Sequence, residues 1–313
     1  MKIVSLLPGG TEILCALGLR ESLVGVSHEC DFPPSVSHLP RLTRSRLAAD
    51  QSSLAIDEQV RAQLQSGESL YELDAARLYA LAPDLIVTQA QCEVCAVRFA
   101  DVERLVQHAP ELRQTQIFSL QPASLGEMFS DLNRLAEVVQ RRAAARAFLE
   151  QAQARLAAVG AALANVLARP LPKVACIEWL DPLMLAGHWT PELIALAGGT
   201  SGLTKAGAPS PYVRWSALAE FDPDTIVVAP CGFDLTRTRQ EMSNLARNAF
   251  WRQLRAVVRG EVYLLDGNAY LNRCGPRLID TVELLAALVH PEEAASFAAP
   301  RSAGYERWQP GWE

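Results

Sequence analysis

Two Rossmann-like parallel-sheet lobes of the α/β class, joined by a long helical backbone, are what this 313-residue chain predicts. Three observations carry that expectation. Short, β-branched apolar runs alternate with helical patterns of roughly 10–15 residues, as in parallel sheets built from βαβ units. A weak internal duplication repeats the form Pro-Asp-x-Ile-Val, once in Leu81-Ala82-Pro83-Asp84-Leu85-Ile86-Val87 and again in Phe221-Asp222-Pro223-Asp224-Thr225-Ile226-Val227. Between the copies lies a stretch of helical spacing far longer than an ordinary crossover.

The elements follow in order. Ile3–Leu7 reads as a buried strand that Pro8-Gly9-Gly10 turns, and Leu23–Val26 as the next. Pro83 and Pro223 stand just before the strands Leu85–Thr88 and Thr225–Ala229, where a missing N–H costs little. Gln116–Leu120 in the first lobe is echoed by Glu261–Leu265 in the second, and Thr11-Glu12-Ile13-Leu14 by Pro191-Glu192-Leu193-Ile194. Val174–Ile177 opens the second lobe. Ser124-Leu125-Gly126-Glu127 is a capping-box signature. Leu125, Phe129, Leu132, Ala136 and Val139 then recur at helical spacing, followed by Phe148, Ala152, Leu156, Val159 and Leu163, until Pro170 and Pro172 close the stretch. Unbroken to Ala168, such a helix would be about 66 Å long at ~1.5 Å per residue, so a break is expected near Gln140–Arg142. The lobes are placed at 1–122 and 171–313, with the helical spine at 123–170. Residues from Pro291 onward, Pro/Gly-rich around Tyr305, Trp308 and Trp312, are expected to form an irregular tail.

Composition removes several classes. Half of the residues are hydrophobic and 20% are charged, which suits packed cores and excludes disorder. No run approaches the ~18 consecutive apolar residues of a membrane span. A net charge of −6 without a Lys/Arg stripe argues against nucleic acid or an anionic membrane surface as partner. The apolar run after Lys2 falls short of the ~7–15 residues of a secretory signal. Seven cysteines leave at least one unpaired, and thiols persist most easily in a reducing compartment. A cytoplasmic location is therefore expected, or a periplasmic one if the true start lies upstream. Neither G-x-S-x-G, H-E-x-x-H nor a nucleotide-binding glycine loop occurs, so the expectation is a binding protein and not an enzyme.

Ligands of open parallel sheets collect at the carboxyl ends of strands. After the first strand come Pro8, Gly9 and Thr11, which lead into a helix N-terminus able to receive a polar group, or simply make a tight turn. After the second comes Ser27-His28-Glu29-Cys30-Asp31, in which His28 and Glu29 are candidate ligand contacts. After Leu85–Thr88 comes Gln91-Cys92-Glu93-Val94-Cys95, whose C-x-x-C brings two sulfurs within reach of one ion. His28, Cys30, Cys92 and Cys95 together match the four ligands that zinc, or another thiophilic metal, takes at ~2.0–2.3 Å. Cys231 and Cys274 are further candidates. The competing role for any of these cysteines is a small apolar filler, as Cys15 and Cys176 already read. In the second lobe Trp179, Trp189, Tyr212 and Tyr270 offer rings of ~150–250 Å² each to a large, flat, partly apolar ligand, while Trp215 reads as core. Arg214 and Arg273 suit carboxylate, phosphate or amide edges, and His188 suits axial ligation of a metal.

Taken in order and spacing, Ile3-Val4-Ser5-Leu6 with Thr11-Glu12, Val24-Gly25-Val26-Ser27, Pro83–Val87, Ala186-Gly187, Pro223–Val227 and Gly275-Pro276-Arg277 resemble the helical-backbone (class III) solute-binding proteins of cobalamin and iron-siderophore uptake. The resemblance covers nearly the whole chain. The run Tyr270-Leu271-Asn272-Arg273-Cys274-Gly275-Pro276-Arg277 is most similar to the cobalamin-binding members. What it implies is non-catalytic binding of a small-molecule ligand, a cobalamin-like corrinoid or related metal chelate, in a ligand cleft between lobes that close little. Transporter-docking members carry an acidic residue on each lobe. Here Asn272 stands at one such position and Glu93 only near the other, which speaks against delivery to an ABC permease. Two alternatives stay open: a Cys/His metal-binding, metal-dependent or redox protein reusing the fold, and an exported transporter component.

Overall fold

The computed structural model describes residues 1–48, 50–90, 94, 96–166, 169–297 and 304–309. The chain divides into two compact units. Unit 1 comprises Met1–Gln51, Ala55–Pro122 and Gly126–Leu149; unit 2 comprises Ser52–Leu54, Ala123–Leu125 and Glu150–Glu313.

The first half of the chain runs β1 (Ile3–Ser5), α1 (Pro8–Ala16), β2 (Leu23–Val26), β3 (Thr43–Ser45), α2 (Ser53–Ser66), β4 (Tyr71–Leu73), α3 (Ala75–Leu81), β5 (Leu85–Gln89), α4 (Phe99–His108), β6 (Gln116–Leu120), α5 (Leu125–Val138) and α6 (Arg142–Ala162). The unit 1 sheet has the order β2-β1-β5-β6 with every pair parallel. Alternation along each strand splits its core in two. Ile3, Leu85 and Val87 pack with Ile13, Leu14, Leu132 and Leu135 on one face, and Val4 and Ile86 with Leu78, Val102 and Leu112 on the other. Gly10 lets α1 lie directly on β5, since a Cβ there would stand 2.9 Å from Val87 Cγ1. β3 and β4 form a separate antiparallel pair that sequence reading does not predict. Three residues per strand are too few to show a period.

The helical stretch breaks where its length requires, with Gln140 at φ +57° between α5 and α6. α6 ends at Ala162, short of the expected Ala168. Through Leu149 it counts with unit 1 and from Glu150 with unit 2, where Arg155 bridges Asp280 (2.5 Å) and Glu283 (2.7 Å). Among the described residues no helix is long and apolar enough to cross a membrane.

Unit 2 continues with β7 (Val174–Trp179), β8 (Met184–Leu185), α7 (Thr190–Leu196), α8 (Trp215–Phe221), β9 (Thr225–Val228), α9 (Leu235–Ala246), α10 (Ala249–Gln253), α11 (Arg255–Arg259), β10 (Val262–Leu265), α12 (Leu278–Val289), α13 (Pro291–Ala294) and β11 (Tyr305–Arg307). The sheet order is β11-β10-β9-β7-β8, a parallel centre with an antiparallel strand on each edge. The irregular tail is corrected here: Tyr305–Arg307 form a strand on β10, and Trp308 is buried edge-on against Trp251, with ring centroids 5.8 Å apart. Trp251 meets Trp215 in the same way at 6.3 Å. The open side of β10 selects this strand, and no pattern inside three residues announces it.

The duplicated segments do the same work in each unit. The Lys2 N–H donates to the Asp84 carboxylate (2.6 Å), the Asp84 N–H returns to the Lys2 carbonyl (2.9 Å), and Lys2 Nζ reaches Leu81 O (3.1 Å). In unit 2 Lys173 N–H donates to Asp224 (3.0 Å), Asp224 N–H to Lys173 O (2.8 Å), and Lys173 Nζ to Phe221 O (2.9 Å). Ala82 and Asp222, which end α3 and α8, share the left-handed conformation at φ 42° and 46°.

Candidate functional site

Because β1, β2, β5 and β6 are parallel, their carboxyl ends share one edge of unit 1. Pro8 is the first residue of α1, half-buried, with Gly9 buried beside it. His28 follows β2, and its placement is local chemistry. Its backbone N–H donates to Thr43 Oγ1 (3.0 Å), its Nδ1 lies 2.7 Å from the same oxygen, and Thr43 donates onward to Ser27 Oγ (3.1 Å). With the Thr43 proton on Ser27, Nδ1 carries the imidazole proton and Nε2 keeps its lone pair. The ring packs 5.6 Å from Tyr71, whose hydroxyl donates to Val94 O (2.8 Å). Burial, and secondarily the Arg41 charge, lowers the His28 pKa below 6.5, so the ring is neutral at pH 7. Arg41 also donates to the carbonyls of Ser27 (3.1 Å) and Cys30 (2.5 Å) and so shapes the loop. Glu29 is part-exposed, 4.0 Å from His28 Nε2.

Two expected site residues leave this edge. Thr11 and Cys30 are fully buried, with Thr11 Oγ1 donating to Cys30 Sγ (3.1 Å) and Cys30 packed in the aliphatic core. Of the four residues expected to hold zinc, Cys30 is thus a thiol packed in the core. Cys92, Cys95 and Glu93 lie outside the described residues. Among the described residues no three His, Cys, Asp or Glu side chains stand together as metal ligands, so Cys231 and Cys274 belong to no such group. Cys15 and Cys176 behave as core, with burial pushing their thiols up to about 11 and about 12.

Unit 2 gathers aromatic residues at the carboxyl ends of β7, β9 and β10. Trp179 ends β7; its ring tilts on Phe233 at 5.3 Å, and its indole N–H donates to Ser53 O (3.2 Å) within the same unit. The Cys231 N–H donates to Glu178 O (3.1 Å), which ties the loop after β9 to the end of β7. Gly267 N–H donates to Phe233 O (2.9 Å), joining the loop after β10 to the same platform. The Asn272 amide then clasps Ala229 O (2.7 Å) and Gly267 O (3.2 Å). Asn272, weighed in the sequence as a docking position, thus has a structural duty. Trp189 Nε1 donates to Leu271 O (2.5 Å), which holds its indole against the Tyr270–Arg277 run. His188 stacks on Trp189 at 5.7 Å, and burial lowers its pKa below 6.5. Arg273 lies alongside Asn268, 3.4 Å from its Oδ1. Tyr212 is 55% exposed and bridges Met184, itself paired with Trp179, so it stands level with the end of β7. Arg214 is exposed at the start of α8.

The sequence reading missed the supports of these candidates. Thr43, Tyr71 and Arg41 fix His28, while Phe233 and Asn272 fix the platform. Asn272 sits inside the Tyr270–Arg277 run and Phe233 two residues after Cys231, both stretches that had drawn notice.

These two units, each built on parallel central strands with loops gathered at their carboxyl ends, are those of a solute-binding protein. Residues 3–269 match the Periplasmic binding protein family, and the chain belongs to it. That is the class the ordered motifs resemble. The vitamin B12-binding protein of Yersinia pestis is 26% identical over 302 residues, spanning 96% of this chain and 88% of that protein. Among solved structures, a periplasmic heme-binding protein from Pseudomonas aeruginosa aligns over 93% of each chain with a TM-score of 0.70 at 22% identity. A periplasmic vitamin B12-binding protein of Vibrio cholerae aligns over 92% of this chain and 96% of its own with a TM-score of 0.63 at 21% identity. Both share its fold.

Proposed function

We propose that this protein binds a cobalamin-like corrinoid without transforming it, and that the aromatic edge of unit 2 makes the principal contact. The carrying observation is the convergence of Trp179, Trp189 and Tyr270 on loops tied together by Asn272 and Gly267. Held rings lose little entropy on binding, and their faces suit a large macrocycle with an apolar plane. Arg273, at the same loop, suits the amide and phosphate groups at such a ligand's edge. The likeness to vitamin B12-binding relatives supports the same reading.

One observation favours a second ligand, a metal chelate such as heme. Neutral His28, with Nδ1 engaged by Thr43 and a lone pair on Nε2, has the form of an axial metal ligand. Calorimetric titration with hydroxocobalamin and, in parallel, with hemin separates the two. A stoichiometric isotherm with hydroxocobalamin and a Kd below about 1 μM, or ~8 kcal/mol, is expected. Binding of hemin alone transfers the assignment to heme, and no heat with either sinks both.

A further inference from the structure

We propose that β11, through Gly304, positions the Tyr270 ring for ligand; the inference rests on the reading that the unit 2 edge binds one. β11 is anchored independently of the loop it touches. Glu306 takes both nitrogens of the Arg239 fork (2.8 and 2.5 Å), Trp308 N–H donates to Val262 O (2.8 Å), and the Trp308 indole is buried on Trp251. The chain enters this strand over the start of the Tyr270 loop, where Gly304 O accepts from Asp266 N–H (3.0 Å). Tyr270 lies directly on Gly304. A Cβ at 304 would stand 2.5 Å from Tyr270 Cε2, 2.9 Å from its hydroxyl and 3.1 Å from Cζ.

Tyr270 therefore occupies space that only glycine leaves open. The loop backbone has little room to yield, because the Asn272 amide and the Trp189 indole hold the residues that follow. Added bulk at 304 must turn the ring about its own side-chain bonds. The atoms an added Cβ would meet all belong to the far end of the Tyr270 side chain and none to backbone, so Gly304→Ala moves a ring and spares the fold.

The test uses the full chain and two readouts. The first is the Tyr270 signal in an aromatic NMR spectrum of ring-labelled protein, assigned by its loss in Tyr270→Phe. The second is hydroxocobalamin titration. Gly304→Ala is expected to shift the Tyr270 signal, leave Tm unchanged and weaken binding about tenfold, within the range one aromatic contact supplies. Tyr270→Ala should weaken binding about as much, and the double variant no more than Tyr270→Ala alone. An unmoved Tyr270 signal, wild-type affinity in Gly304→Ala, or fully additive losses overturns the positioning role. If wild-type protein binds no hydroxocobalamin, the function proposed above fails, and the NMR shift still decides on its own whether Gly304 places the ring.

Discussion

The two units agree at one edge of their sheets and part company at the other. At the amino ends of the strands, Lys2 with Asp84 and Lys173 with Asp224 make the same three hydrogen bonds, under helix ends that share one left-handed residue. At the carboxyl ends, unit 1 offers a polar relay of Ser27, Thr43 and His28 fixed by Arg41, whereas unit 2 offers aromatic rings on cross-tied loops. The lesson concerns what each edge must do. Joining a helix to the next strand has one economical solution, so both copies keep it, while the loop edge is freed for recognition.

That contrast is open to attack, most strongly through binding. Trp189→Ala removes a ring and its bond to Leu271 O, and should weaken hydroxocobalamin binding about 30-fold or more, roughly 2 kcal/mol. His28→Ala should cost less than about fivefold, roughly 1 kcal/mol. Equal losses in the two titrations would remove the preference for the unit 2 edge. Next in size, Asn272→Ala strips two backbone carbonyls of their donor and should cost about 1–3 kcal/mol in urea unfolding at unchanged m. A wild-type unfolding curve would show that the platform does not need its clasp.

The shared edge gives smaller effects. Asp84→Ala should lower stability by about 1 kcal/mol in urea unfolding. Asp224→Ala should lower it further, because Asp224 also pairs with Arg255 at 2.7 Å. The reverse order would break the equivalence of the two copies.

His28 supplies a pH-dependent test. Its folded pKa lies below 6.5, chiefly through burial, so the folded state takes up fewer protons than the unfolded chain in acid. Its contribution is fully present above about 6.5 and is lost as pH falls toward the lowered folded value. Tm measured across that range should decline less steeply in His28→Asn, with His188, shifted the same way by burial, left to act. Identical slopes would remove the polar relay from the comparison.

The mildest change makes unit 1 copy unit 2. Thr88 occupies the repeat position held by Val228, is fully buried, and its hydroxyl has no partner among the described residues. Thr88→Val should therefore be neutral or raise stability by up to about 1 kcal/mol, read from the unfolding midpoint. A clear loss would reveal a hydrogen-bonding duty for that hydroxyl.

By itself the sequence determined what is periodic and local. Strands at Leu23–Val26, Gln116–Leu120 and Val262–Leu265 fall where their short apolar runs do, bounded by turn residues and too brief for helices. The break at Gln140 follows from helix length, and membership of the binding-protein family from ordered motifs. The aromatic candidates at strand ends were equally readable, since topology alone sends loops to that edge. Only the tertiary structure decided which neighbours share a direction. Ser27-His28-Glu29-Cys30 looks like one chemical cluster, yet Cys30 turns into the core while His28 meets Thr43, 15 residues further along the chain. β11 exists because β10 had an open side, and Tyr270 stands where it does because residue 304 lacks a side chain. Such facts are set by contacts between segments remote in sequence, and the periodicity of either segment alone carries no record of them.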